Sequence, residues 1–297
     1  MNSTTKKIKN INCVLVAIDN VLFDTKTKSF VKNQRLVSTI RDFIKKNNKF
    51  IVFGTKNLVD IEATYKHFNI YDFCPYSIAC NGSLIYDNIR KRKISHRYLT
   101  RNVIDVSEEL QKKFNEQRIP VALLGYDGYD CVKIVANDSL SKSDYRNIIK
   151  SENCIGKNNF VTVNTLNEEL PLVKITWKFF SKSMKKIDEL YKIILEHFNR
   201  LIVKPVVIND LVNNCVEVNM IGNQKSNAFT ELISLLNITS ESCMLIGNGE
   251  NDVALFDSIE TSITNECGDK KTKKVNAKIF LNSSNDNLVV KALSMLI

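Results

Sequence analysis

Long hydrophobic runs are missing from this sequence. Nowhere in its 297 residues does an apolar stretch approach the ~20 that a membrane-spanning helix requires. The start, Met1-Asn-Ser-Thr-Thr-Lys-Lys7, leads directly into a short strand-like run, with no leader-type apolar region and no small-residue cleavage site. There is no Cys-x-x-Cys pair, and no cysteine has a histidine close by. The eight cysteines (Cys13, Cys74, Cys80, Cys131, Cys154, Cys215, Cys243 and Cys267) are scattered, most of them in apolar strand-like segments. That usage excludes a zinc or disulfide framework and is expected of reduced thiols in a cytoplasmic protein. With 9 Gly and 4 Pro in the whole chain, no flexible linker, low-complexity segment or internal repeat stands out. A single Trp and no basic stripe interleaved with aromatics argue against a dedicated nucleic-acid surface.

What is present is an average globular composition, 44% hydrophobic and 25% charged, which excludes disordered and fibrous classes. Formal net charge is +10. The excess attracts anions, from phosphorylated metabolites to nucleic acid. Its basic residues are spread out, however, with the densest groups at Arg90–Lys93 and Lys270–Lys274, as on ordinary solvated faces.

Two kinds of patterning divide the chain. Cys13–Ile18 is an unbroken apolar run, as in a parallel strand buried on both faces. Leu36, Ile40, Phe43 and Ile44 recur at helical spacing, and Phe50–Phe53 is a second buried strand ending at Gly54-Thr55. Such alternation predicts βαβ units, whose ligands sit at the carboxyl ends of the strands. From about residue 84 the pattern changes. Val173, Ile175, Trp177 and Phe179 alternate with Lys174, Thr176 and Lys178, which predicts a sheet with one face in water. After Val216–Met220 the first pattern returns, with Met244–Ile246 as another short buried strand. The expected architecture is an α/β core, residues 1–83 and 221–297, interrupted by an inserted α+β module, residues 84–220.

Four strand-end positions then converge: Asp19, Thr55, Lys225 and the pair Asn248 and Asp252. A carboxylate, a hydroxyl, an ammonium and a cation-binding pair together make a phosphate site. Each residue also has an ordinary reading: Asp19 as a turn residue, Thr55 as a helix cap, Lys225 as a solvated lysine and Asp252 as a helix-start acid.

The segment Met244-Leu-Ile-Gly-Asn-Gly-Glu-Asn-Asp-Val253 resembles the fourth motif, Gly-Asp-x-x-Asn-Asp, of the haloacid dehalogenase superfamily. Ser77–Asp87, with its Asn81-Gly82 turn, is similar to the strand and turn entering the cap of the Cof-like, type IIB sugar phosphatases. Lys225-Ser226 resembles the third motif, Thr55 the second, and Ser262–Asn265 a later Ala-Met-Gly-Asn-Ala element. The resemblance, from about residue 11 onward, implies a Rossmann-like core with a Cof-type cap. It implies hydrolysis of small phosphorylated metabolites with Mg2+, through an aspartyl nucleophile and an acid/base Asp two residues on. It also implies Asn20, Thr55, Lys225 and Asn251 as phosphate contacts, and Asp19, Asn248 and Asp252 as metal contacts.

The first motif departs from that pattern. Where the family has Asp-x-Asp-Gly-Thr-Leu-Leu, this chain has Ala17-Ile-Asp-Asn-Val-Leu-Phe23. Aligned without gaps, Ala17 takes the nucleophile's place and Asp19 the acid/base position. With a one-residue deletion, Asp19 becomes the nucleophile and its partner two residues on is Val21. Asn248 replaces a metal-binding Asp, and a neutral carbonyl oxygen holds a hard cation poorly. Three expectations follow. The first is a phosphatase-like protein whose hydrolysis is weak or lost, with phosphate binding left. The second is an active Mg2+-dependent phosphatase using Asp19. The third is a non-specific nucleic-acid binder.

Overall fold

The computed structural model describes residues 10–166, 171–180, 184–199, 201, 203–209, 214–220, 225–247, 252–265, 279–281 and 287–296. They form two compact units. The first comprises residues 1–55, 61–94 and 225–297, and the second comprises 56–60 and 95–224.

In chain order, β1 (Cys13–Ala17) is followed by the short hairpin β2 (Phe23–Asp24) and β3 (Ser29–Phe30), then α1 (Gln34–Lys45), β4 (Lys49–Phe53) and α2 (Leu58–His67). β5 (Tyr76–Ala79), β6 (Leu84–Asp87) and β7 (Arg92–His96) complete the first pass. The chain returns through α6 (Lys225–Leu236), β14 (Cys243–Ile246), α7 (Val253–Ser258), β15 (Thr261–Asn265), β16 (Ile279–Leu281) and α8 (Leu288–Ser294). Between them lie α3 (Arg101–Glu116), β8 (Val121–Tyr126), β9 (Cys131–Val135), α4 (Lys142–Glu152), β10 (Asn159–Val163), β11 (Lys174–Phe179), α5 (Met184–Phe198), β12 (Val203–Asn209) and β13 (Asn214–Met220).

The first unit is built on an eight-stranded sheet in the order β16-β15-β14-β1-β4-β5-β6-β7. It is parallel from β16 to β5, and β6 then pairs antiparallel with β5. Every residue of β1 is buried, so the unbroken apolar run Cys13–Ala17 needs no polar face. α1 presents Leu36, Ile40 and Phe43 to the core, and the Asn33 side chain caps it by accepting the Arg35 N–H. The buried Tyr65 hydroxyl accepts from Val52 N–H and donates to Tyr76 O, both at 2.8 Å, tying α2 to β4 and β5.

The second unit has a six-stranded sheet in the order β10-β9-β8-β11-β13-β12. Against one face pack α3 and α5, through Leu110, Phe114, Ile187 and Ile194 on Leu123, Ile175 and Trp177. The sequence predicted water on the other face, and here the structure differs. Ala122, Leu124, Tyr126, Val132 and Ile134 form a second apolar cluster there, with Leu140 and Ile148. Lys174 and Thr176 are consequently buried. The charges survive burial because they have partners. Lys174 Nζ lies 4.0 Å from the centre of the Tyr126 ring, and Lys178 Nζ is ion-paired with Glu152 and 2.8 Å from Ser151 Oγ. Burial alone would raise the Glu152 carboxyl, but Lys178, Lys56 and Lys174 together outweigh it and hold it down at about 2. Alternation of Lys with apolar residues marked two faces correctly; it carried no information about what would cover the second.

Most of the described cysteines lie in strands, as the sequence suggested. Cys13, Cys131, Cys215 and Cys243 lie in strands, whereas Cys74, Cys80 and Cys154 lie outside them. Cys267 falls outside the described residues.

Candidate functional site

The site is set by three neighbouring parallel strands that end together. In register, Ala17 of β1 lies beside Phe53 of β4, and Val16 beside Ile246 of β14. Beyond each strand the chain must turn, and the candidate residues fall in those turns. After β1, the Ile18 carbonyl accepts the N–H groups of Val21, Leu22 and Phe23 at 3.2, 2.9 and 2.9 Å. This tight turn carries Asp19 and Asn20. Asn20 has φ 58°, a left-handed conformation that suits Gly and, among other residues, Asn. Its side-chain oxygen accepts the Thr25 hydroxyl at 2.7 Å. Asp19 is partly exposed, and its carboxylate has no hydrogen bond or ion pair among the described residues.

After β4, Gly54 N–H donates to Ile78 O at 3.1 Å and Gly54 O accepts from Asn81 N–H at 2.9 Å. The turn at Asn81, itself left-handed at φ 59°, thereby braces the residue next to Thr55. The Asn81-Gly82 signal was visible in the sequence; its bracing of Gly54 was not.

Lys225 opens α6 and is buried. Its ammonium lies 2.6 Å from Asp252 Oδ1 and 5.3 Å from the centre of the Phe53 ring. Asp252 is buried too, and although it immediately precedes α7, its side chain makes no capping bond. Asp252 thus stands at the start of α7 with its carboxylate paired to Lys225. Gly247 permits the approach, since a Cβ there would lie 3.1 Å from Asp252 Oδ2 and 3.3 Å from Phe256 Cζ. Lys225 and Asp252 are thus brought together across the end of β14, and Phe53 places the pair beside the position of Ala17. Sequence reasoning missed Phe53, for which an aromatic at the end of a buried strand gave no signal. Asn248 and Asn251 lie outside the described residues. Ser262–Asn265 forms part of β15.

The donor set was tested against a divalent cation. Among the described residues no group of three His, Cys, Asp or Glu side chains converges. Asp252 is already neutralised by Lys225, which leaves Asp19 as the carboxylate at these strand ends without a partner among the described residues. The described residues do not make a Mg2+ site, since a hard cation is held mainly by several anionic oxygens.

A parallel α/β sheet with an inserted α+β unit, Asp19 and Thr55 in the turns after β1 and β4, and the buried pair of Lys225 and Asp252 are the arrangement of a phosphoryl-handling hydrolase. The model of the haloacid dehalogenase-like hydrolase family matches residues 14–293, and the chain belongs to that family. A Mycoplasma pneumoniae protein whose name assigns it provisionally to the phosphatases is 21% identical over 282 residues, covering 93% of this chain and 92% of its own. A haloacid dehalogenase-like hydrolase from Bacteroides thetaiotaomicron superposes with a TM-score of 0.78 at 16% identity, over 97% of this chain and 100% of its own. A subclass IIB sugar phosphatase superposes with a TM-score of 0.74 at 12% identity, over 95% and 98%. Hydrolases of this family generally use Mg2+. No helix among the described residues is long and apolar enough to cross a membrane.

Proposed function

We propose that this chain binds the phosphate group of a small phosphorylated metabolite at the strand ends, and that hydrolysis is weak or lost. The observation that carries the reading is the buried Lys225–Asp252 pair beside Ala17. The acid expected to hold a cation is held by the protein's own ammonium, and the position expected to attack phosphorus is a methyl group. The left-handed Asn20 supports the ungapped alignment, because it places Asn where the family motif has its glycine. Asn20, Thr55 and Lys225 are the groups that contact the phosphate oxygens, joined by Asn251. Asp19, in the acid/base position, faces no nucleophile on its own strand. The cap that selects the ligand, expected at residues 84–220, is the unit 95–224, because β6 and β7 belong to the sheet of the first unit. The sugar phosphatase among the structural relatives makes a phosphorylated sugar the first candidate. Free thiols at Cys13, Cys74, Cys80, Cys131, Cys154 and Cys243 are consistent with the cytoplasm.

A second reading, an active Mg2+-dependent phosphatase with Asp19 as nucleophile, is favoured by the Asp19 carboxylate, which has no partner among the described residues. Phosphate release with Mg2+ from sugar phosphates, nucleotides and p-nitrophenyl phosphate, for wild type and Asp19→Asn, separates the two. The first predicts no release above the variant's background, and a melting temperature raised by inorganic phosphate whether or not EDTA is present. Release abolished by Asp19→Asn and by EDTA would establish the second.

A further inference from the structure

Apolar side chains left in water are ordinary when they stand singly and informative when they meet. Among the described residues the most exposed large ones are Ile89, Leu235 and Phe73, at 66%, 58% and 54%. Two of these belong to neighbouring turns of the first unit. Phe73 ends the short 3-10 turn Tyr71–Phe73, and Ile89 lies in the turn of the hairpin between β6 and β7. Asn88 ties the two turns together, its N–H donating to Pro75 O at 2.8 Å and its side-chain amide to Cys74 O at 2.7 Å. Each apolar side chain is thus one residue from the tie.

The hairpin tip is held by its own hydrogen bonds. Asp87 is buried, and its Oδ1 accepts from Ile89 and Arg90 N–H at 3.1 and 2.9 Å. Ser77 Oγ donates to Asn88 Oδ1 at 3.0 Å, and Lys91 closes the turn at φ 53°. A tip already ordered in this way loses little freedom on contact.

Cations surround it. Arg90, Lys91, Arg92 and Lys93 follow Ile89 directly and all are exposed. Lys91 Nζ lies 4.0 Å from the centre of the Tyr71 ring, and Lys66 Nζ, on α2, lies 5.5 Å from the same centre. The same segments carry three acids, of which Glu62 pairs with Lys66, the buried Asp87 pairs with Arg90, and Asp72 precedes Phe73. A positive excess remains around two apolar side chains.

We propose that this tip is a peripheral contact for an anionic lipid surface. Ile89 and Phe73 enter the headgroup boundary, and Arg90–Lys93 with Lys66 face the lipid phosphates. The patch is separate from the strand-end site and does not depend on how that site is read. Two protruding turns with apolar residues suit a fluid interface, which closes around them. The partly exposed Tyr71, between two lysines, is the kind of amphipathic aromatic that settles at headgroup level. A second copy of the chain would set the same basic residues against one another. Nucleic acid would engage the cations through its phosphates and leave the apolar side chains in water.

The test is cosedimentation of the full chain with vesicles of equal parts phosphatidylglycerol and phosphatidylcholine, beside vesicles of phosphatidylcholine alone. Binding is expected to the first and not to the second, and it should weaken as salt is added. Ile89→Ser should weaken it about tenfold, and Arg92→Gln and Lys93→Gln about fivefold each, with melting temperatures unchanged because these side chains are exposed. In Phe73→Trp the emission should shift to the blue on the anionic vesicles, over a constant background from buried Trp177. No binding to the anionic vesicles would overturn the proposal. Binding that falls with Arg92→Gln and Lys93→Gln but not with Ile89→Ser, and brings no blue shift, would overturn it too, as attraction of the whole +10 chain. So would tighter binding to polyglutamate or duplex DNA that Ile89→Ser abolishes, since the tip would then serve a protein or nucleic-acid partner. Should Ile89→Ser fail to fold, Phe73→Ser takes its place with the same expected loss.

Discussion

Replacing Asp252 by Asn would remove the anion from a pair whose side chains are only 7% and 4% exposed and whose charged atoms are 2.6 Å apart. The lysine that remains is largely shielded from water. Breaking a buried pair by removing one partner typically costs about 3–5 kcal/mol, because an uncompensated charge is left inside. Asn retains a carbonyl that can accept from Lys225, and the Phe53 ring offers its face at 5.3 Å. These returns are each about 1 kcal/mol, which places the expected loss near the bottom of the range, about 3 kcal/mol. At roughly 2 °C per kcal/mol for a chain of this size, the melting temperature falls by about 6 °C. Because two units need not melt together, a cycle of Asp252→Asn, Lys225→Met and the double variant isolates the pair. Coupling of about 2 kcal/mol is expected, with the double variant more stable than Asp252→Asn alone. The single variant also frees the ammonium for an external anion, so inorganic phosphate should stabilise Asp252→Asn by more than it stabilises wild type. Coupling below about 0.5 kcal/mol would refute the reasoning, since the pair would then be a surface-like contact despite its burial. Phosphate stabilisation that disappears in Asp252→Asn would show that the carboxylate helps to hold the ligand instead of competing with it.

Burial raises the Asp60 carboxyl from 3.8 to about 6, against the pull of Lys56 and the Gly156 N–H. The folded protein therefore binds this proton more tightly than the unfolded chain does. Its contribution is full below pH 4 and is lost as pH rises towards 6, by about 3 kcal/mol, so Asp60→Asn should flatten that part of the stability profile measured by urea unfolding. Glu152 has the opposite sign: held at about 2 in the fold, it contributes above its unfolded value of 4.5 and that contribution is lost as pH falls towards 2, so Glu152→Gln should lessen the loss of stability in acid. Trp177 is fully buried with its ring edge-to-face on Phe114 at 5.5 Å, and Trp177→Ala should cost about 3–5 kcal/mol, read as destabilisation of the second unit by hydrogen exchange. Gly247→Ala should press on Asp252 and Phe256 and lower the melting temperature, while an unchanged value would show that the neighbours give way freely.

Much of the fold was legible because it is written locally. Cys13–Ala17 is buried on both faces and reads as an unbroken apolar run, and Leu36, Ile40 and Phe43 share one face of α1 because they recur at the helical period. The order of the candidate residues was also plain in the sequence, since identity and spacing along the chain are what a sequence records, and both alignments of the first motif, with Ala17 or with Asp19 at the nucleophile's place, fit that record. Tertiary structure alone decided what those residues meet. Lys225 and Asp252 stand 27 positions apart, and each is an ordinary helix-start residue until the sheet brings them together. Lys174 and Thr176 look solvent-facing until α4 covers their side of the sheet. Lys56–Asp60 follows a core strand in the chain, yet its backbone donors are satisfied by carbonyls some 70 residues further on, at Gly128 and Tyr129. Local periodicity fixes which face of an element turns inward; which partner that face finds is set by distant contacts that no window of sequence contains.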